Sequence, residues 1–344
     1  MKTQYANAVT QYENGTSLGG RIIKEGGLVV FPTETVYGLG ANGLNSEAVL
    51  KIFAAKGRPA DNPLILHIAK KSELKPLWSH VPDKARILAD TFWPGPLTMI
   101  FNRSSIVPDE VTAGLDTVAV RMPLNKTARA LINAAGVPIA APSANLSGKP
   151  SPTTAEHVRQ DMDGRVDLII DGGPCKYGLE STVVSLIGRP TILRPGAVTK
   201  EMLEAVIGPV DVAHAVLSPL REGETAASPG MKYRHYAPDA EVVVAEGRER
   251  DIAAKICREY DAREAAGEDC IIFATKQTQP FYRGRNCVII GDRTEPATLC
   301  ASLFYSLREY GDRADVIFAE ALPNDDMGLA YMNRLLRSAG FNII

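Results

Sequence analysis

Short apolar runs, each followed by a stretch with helical spacing, recur along most of this chain, and that alternation leaves few folds open to it. Residues 27–32 (GLVVFP) read as a buried strand. Residues 46–56 read as a helix, with Asn45 or Ser46 as N-cap and Val49, Ile52 and Phe53 on one face. Further strands are expected at 64–68, 97–101, 117–121, 137–140, 166–170, 182–186 and 191–193, with helices at 83–91 and 126–135. The alternation predicts an α/β domain over residues 1–210, built on a large twisted mixed sheet.

The alternation stops over residues 208–238. Residues 218–230 are rich in turn formers and poor in large apolar side chains, the composition of a linker. They lead into MKYRHYAP (231–238), where Lys232, Tyr233, Arg234, His235 and Tyr236 sit side by side. A neutral spacer has no use for them, so the linker, 211–239, is expected to double as a lid. From residue 240 a second, smaller pattern begins, with strands at 241–245, 270–274, 288–290 and 314–319 and helices at 251–260, 297–309 and 327–338. It predicts a small Rossmann-like, doubly wound α/β domain over 240–344, without a GxGxxG or GxxxxGKS phosphate loop. Two domains suit a chain of 344 residues.

Composition narrows the function classes. Cys175, Cys257, Cys270, Cys287 and Cys300 are scattered without a CxxC pair, so neither a zinc site nor a disulfide framework is expected, and a reducing cytoplasmic location is. No run approaches the ~20 apolar residues of a membrane helix, and the first residues lack the apolar core of a signal peptide. Residues 1–210 hold 22 Lys and Arg against 19 Asp and Glu, whereas residues 241–344 hold 13 against 17. Nucleic-acid binders are usually far more basic, so this thin local excess suits a small anionic ligand. An RNA-binding module using a basic concave sheet is the rival reading; no basic stripe with interleaved aromatics supports it.

Four loops after expected strands combine polar groups in ways that suit a ligand. FPTETVYGLG (31–40) offers two threonines, a glutamate and two glycines that let backbone approach a small polar molecule; an ordinary polar turn is the plain alternative. KGRPADNPLILH (56–67) places Lys56 and Arg58 on a loop stiffened by Gly and Pro, with Asn62 beside them. Such a pair suits a polyphosphate, Arg binding bidentately and Lys as a point charge, although cations at a helix end also answer its dipole. His67 on an apolar run reads by itself as a core residue. AAPSANLSGKPSP (140–152) supplies hydroxyls and backbone N–H groups for an anion-binding nest, or is a plain surface loop. GLESTVVS (178–185) and ILRPG (192–196) are expected to bring Ser181 and Arg194 to one sheet end.

Taken in order, FPTETVYGLG, KGRP with NPL and His67, APSANLSG, STVV and LRPG resemble the YrdC-like L-threonylcarbamoyladenylate synthase family over roughly residues 15–207. The linker SPGMKYRHYAP and the second α/β pattern extend the resemblance to that family's long, two-domain form. The resemblance implies a threonine pocket at Thr35, His67, Arg121, Ala141 and Ser181, with Arg121 on the carboxylate. It implies an ATP site at Arg58, Asn62, Thr117, Ser143, Ser151, Arg194 and Tyr236, with Lys56 beside the triphosphate, and Lys56 and Arg58 as the catalytic cations. The implied reaction joins L-threonine, bicarbonate or CO2 and ATP, with Mg2+ travelling on the triphosphate. The product would pass to a threonylcarbamoyl-transferase acting on tRNA, and direct tRNA binding is left open. Related hydrogenase-maturation proteins add an acylphosphatase-like segment and paired-cysteine zinc motifs, which this chain lacks.

Overall fold

The computed structural model describes residues 2–8, 12–219 and 235–344. They form two compact units, one of Met1–Ser147 with Ser151–Lys232, the other of Gly148–Pro150 with Tyr233–Ile344. Most of the expected lid, including Lys232, Tyr233 and Arg234, lies outside the described residues.

The first unit is built on one sheet whose strands are β1 Gln4–Asn7, β2 Val29–Phe31, β3 Gly38–Asn42, β4 Ile65–His67, β5 Leu97–Asn102, β6 Thr117–Arg121, β7 Ile139–Ala140, β8 Leu168–Asp171, β9 Thr182–Ser185, β10 Thr191–Arg194 and β11 Asp211–Val212. Their order is β1-β8-β2-β3-β7-β4-β6-β5-β9-β10-β11. Parallel pairs such as β4/β6 and β5/β9 alternate with antiparallel ones such as β2/β3 and β5/β6, so the sheet is mixed, as expected. Because β11 pairs with β10, the sheet continues past residue 210, the boundary at which the linker was expected to begin.

The helix Ser46–Lys56 forms where its pattern placed it. Asn45 accepts from the Ala48 N–H as N-cap, and Gly57 closes the other end in the left-handed region at φ 61°. Val49, Ile52 and Phe53 are buried in the larger of the unit's hydrophobic clusters, each contributing about 1.5–3 kcal/mol by leaving water. The helix Tyr12–Lys24 was not expected, since Gly15, Gly19 and Gly20 weaken its signal. Packing explains two of them: a Cβ at Gly19 would stand 2.7 Å from Leu131, and one at Gly20 would stand 2.6 Å from Ala134, on the helix Lys126–Ala135. Strand β3 corrects the polar-turn reading of residues 38–40. A Cβ at Gly40 would come within 2.8 Å of the Phe31 ring, so this glycine makes room for a core aromatic rather than for a ligand.

The second unit carries β12 Glu241–Ala245, β13 Cys270–Thr275, β14 Cys287–Gly291 and β15 Val316–Glu320, all parallel in the order β12-β15-β13-β14. The helices Glu249–Ala265, Pro296–Tyr310 and Asp326–Ser338 complete its βα pattern, and its strands are nearly continuous apolar runs, as a covered parallel sheet requires. The fully buried Glu320 at the end of β15 is satisfied by Thr275, Thr278, Tyr282 and Arg293.

Candidate active site

The sheet's register brings distant residues to one place. His67 on β4 pairs with Arg121 on β6, and Arg121 pairs with Thr98 on β5. Arg121 is buried, and three of its N–H groups are engaged. Nη2 donates to Glu34 Oε1 at 2.6 Å, Nη1 to Thr35 Oγ1 at 2.9 Å and Nε to the Gly95 carbonyl at 3.3 Å. Glu34 Oε2 in turn accepts the Asn125 N–H at 3.2 Å. Burial pushes the Glu34 carboxyl up, but the Arg121 charge and the donors around it outweigh that and hold it below its usual range. Thr35 is fixed by the Thr33 hydroxyl at 2.8 Å.

His67 is buried edge-on to Phe31, their ring centroids 6.1 Å apart. Its Nδ1 lies 3.1 Å from the Ile65 carbonyl, an oxygen that only accepts, so this nitrogen carries the proton. Burial and the nearby Arg121 charge pull the imidazole down to about 3, leaving it neutral. The same Ile65 carbonyl accepts the Ala141 N–H, which joins the two residues to one backbone group.

A second chain of contacts runs through Ser181. Its hydroxyl lies 2.8 Å from Thr98 Oγ1, while Arg194 Nε donates to its carbonyl at 3.1 Å and Nη2 to its hydroxyl at 3.3 Å. Beside it, the fully buried Ser151 donates to Glu180 Oε1 at 2.6 Å. The glycine of the LRPG motif has a steric reason: a Cβ at Gly196 would lie 2.5 Å from the Thr182 nitrogen and 2.9 Å from the Ser181 carbonyl carbon.

The residues expected around phosphate are placed less uniformly. Lys56 is buried, and its ammonium donates to the Ser143 and Asn145 carbonyls, tying the helix end to the APSANLSG loop. Arg58 Nη2 donates to the Asn62 carbonyl at 2.7 Å across an exposed turn. Both polar atoms of the buried Asn62 side chain lack a hydrogen-bond partner among the described residues. The Ser143 hydroxyl is turned to Asn145 Oδ1. The nest expected in this loop is largely committed inward: the N–H groups of Ala141, Ala144 and Ser147 bond to carbonyls of Ile65, Tyr37 and Lys56, and that of Leu146 to Asp161. Thr117 begins the strand that Arg121 ends, about 13 Å away at ~3.3 Å per residue, so the structure does not bring it to the Arg121 group. Tyr236 belongs to the second unit, where its ring packs against Phe304 with centroids 4.9 Å apart and planes tilted by 36°, and its backbone adopts φ 65°.

Glu34, Thr98 and Glu180 complete the contacts without having been expected as site residues. Glu34 could be read only as a charge among hydroxyls, and Thr98 is an unremarked position in an apolar strand. Among the described residues, no cluster of three or more His, Cys, Asp or Glu is placed to hold a metal.

Residues 21–196 match the family model described as "Telomere recombination" (Sua5, YciO and YrdC), and residues 198–340 match "Threonylcarbamoyl-AMP synthase, C-terminal domain". The threonylcarbamoyl-AMP synthase of Bacillus subtilis is 48% identical over 94% of this chain and 92% of its own length. That of Pyrococcus abyssi is 48% identical over 94% and 93%. The chain belongs to the threonylcarbamoyl-AMP synthase family. A crystal structure of P. abyssi Sua5 complexed with L-threonine matches the fold with a TM-score of 0.92 and 44% identity, over 100% of this chain and 99% of that one. The family membership covers both units, so the second α/β unit is part of the synthase architecture rather than an unrelated appendage.

Proposed function

We propose that this chain makes L-threonylcarbamoyladenylate from L-threonine, bicarbonate or CO2 and ATP, releasing pyrophosphate, and so supplies the activated group for threonylcarbamoyladenosine in tRNA. The observation that carries the reading is the convergence, at one end of the sheet, of Arg121, Thr35, His67 and Ser181 beside Ser151 and Arg194.

The chemistry asks for alignment and charge neutralisation rather than a protein nucleophile. The threonine nitrogen attacks the CO2 carbon and loses a proton, giving a carbamate. A carbamate oxygen then attacks the α-phosphorus, and the bond to pyrophosphate breaks. Arg121 is assigned to the threonine carboxylate, with Thr35, neutral His67 and Ser181 around the amine and hydroxyl. Arg58, Asn62, Ser143, Ser151 and Arg194 are assigned to the nucleotide, and the buried side-chain amide of Asn62, which has no partner among the described residues, is suited to receive one. Fixed cations and donors stabilise the charge that develops on the leaving group. Mg2+ would travel on the triphosphate, its ligands drawn from phosphate oxygens and water, and would neutralise part of the charge there. A downstream transferase acting on tRNA consumes the adenylate.

The direct test is exchange of labelled pyrophosphate into ATP, expected to require both threonine and bicarbonate. A pocket built around a hydroxyl rejects an analogue lacking one. Serine is therefore expected to support faster exchange than 2-aminobutyrate. Exchange independent of the amino acid, or 2-aminobutyrate equal to threonine, refutes the assignment.

A further inference from the structure

We propose that Glu34 is a positioning residue for this reaction: it aims the Arg121 guanidinium at the substrate carboxylate and cancels the surplus charge of that cation, so that the pocket selects a zwitterion. The inference rests on the assignment of Arg121 to the threonine carboxylate.

The geometry supports it in three steps. A guanidinium has five N–H donors, and Arg121 spends three of them, on Gly95, Thr35 and Glu34. Among the described residues, two are left unengaged, one on each terminal nitrogen, the number a carboxylate accepts from a guanidinium fork. The three engaged bonds come from two separate segments, the adjacent Glu34 and Thr35 on one side and Gly95 on the other, so they fix the plane of the fork before any substrate arrives.

Glu34 is itself held on both sides. Its Oε2 accepts the Asn125 N–H and its backbone carbonyl accepts the Tyr177 N–H at 2.9 Å, so its carboxylate cannot follow Arg121 if the arginine swings. The side chains of both partners are almost wholly buried, 4% and 5% exposed.

Charge then decides what the pocket admits. A bare buried guanidinium next to a polyphosphate site would attract any small anion, including the pyrophosphate product. Paired with Glu34, Arg121 contributes no net charge, and the favoured guest is one that brings its own balancing cation. Free threonine, with a carboxylate and an ammonium, is such a guest.

The test uses the full chain carrying Glu34→Gln or Glu34→Asp. For Glu34→Gln, the threonine KM is expected to rise at least tenfold while the ATP KM stays within twofold. The preference for threonine over threoninamide, measured as a ratio of kcat/KM, is expected to fall at least tenfold. Sulfate is expected to become a competitive inhibitor against threonine, which it is not in the parent. Glu34→Asp keeps the charge and retracts it by one methylene; smaller changes in the same direction support the proposal even where the glutamine variant fails to fold. If threonine and threoninamide lose efficiency by the same factor and sulfate has no effect, Glu34 is a structural residue and the proposal falls. Arg121→Lys separates the two levels. An unchanged threonine preference in that variant overturns the carboxylate assignment itself, whereas a changed one together with inert Glu34 variants overturns only the present inference.

Discussion

Lys56 and Arg58 share one loop, yet the fold puts them to different uses. The Lys56 ammonium is spent on two buried carbonyls, those of Ser143 and Asn145, so its first role is to hold the APSANLSG loop against the helix Ser46–Lys56. Lys56→Met leaves those carbonyls without their charged donor, and the variant is expected to lose about 2 kcal/mol or more of stability along with activity. Arg58 donates to a carbonyl within its own exposed turn and lies over the Phe53 ring, 5.5 Å from its centroid, whereas Lys56 holds two buried carbonyls of another loop, so Arg58→Ala is expected to lower the urea midpoint less than Lys56→Met does. Its pyrophosphate exchange is expected to fall roughly ten- to a hundredfold, the size of a lost charge-assisted contact. Urea midpoints read beside exchange rates separate the two roles. Parental stability in Lys56→Met would remove the anchoring role from that residue.

The strands and their glycines decide how accurately the pocket is built. Ser181 hangs at the start of β9, and the backbone at Gly196 passes so close that a Cβ there meets the Thr182 nitrogen at 2.5 Å. Gly196→Ala therefore has to move the Ser181 segment rather than a flexible side chain, and the threonine KM is expected to rise more than tenfold in a variant that still folds. An unchanged KM would show that β9 and β10 tolerate the separation. The same elements show what a sequence can and cannot reveal. The strand Thr117–Arg121 and the helices Ser46–Lys56 and Lys126–Ala135 were legible to the residue, because β-branched alternation or an apolar stripe is bounded by clear caps. Strand β3, GLGAN, has neither, and its assignment depends on pairing with Phe31 across the sheet. The candidate site divides in the same way. Thr35 and Ser181 stand in motifs and Arg121 followed only from the family resemblance, but the Glu34–Arg121 pair spans 87 residues and Thr98–Ser181 spans 83, and no local pattern encodes such meetings.

For the molecule as a whole, His67 links the pocket to pH. Its imidazole titrates at about 3 in the folded chain against about 6.5 when exposed, so the unfolded chain binds a proton that the folded chain refuses. Stability from this residue is intact above pH 6.5 and declines as pH falls from 6.5 towards 3, by up to about 1.4 kcal/mol per pH unit. In His67→Gln the drop in urea midpoint between pH 7 and pH 5 is expected to be smaller than in the parent; an equal drop would mean that His67 is not buried neutral. The long spans of the site contacts have a further consequence, for the order of events in folding. Glu34 with Arg121, Lys56 with Asn145 and Thr98 with Ser181 are each more than 80 residues apart, and such contacts repay their loop-closure entropy only when the intervening chain is in place. The pocket is therefore among the last parts of the unit to close. A partly folded chain has nowhere to receive threonine or ATP, so these molecules bind the finished state alone and raise its apparent stability as their concentration exceeds their Kd. The substrates of this enzyme thus act as the final ligands of its folding reaction, and starvation for threonine would leave more of the chain open to proteases.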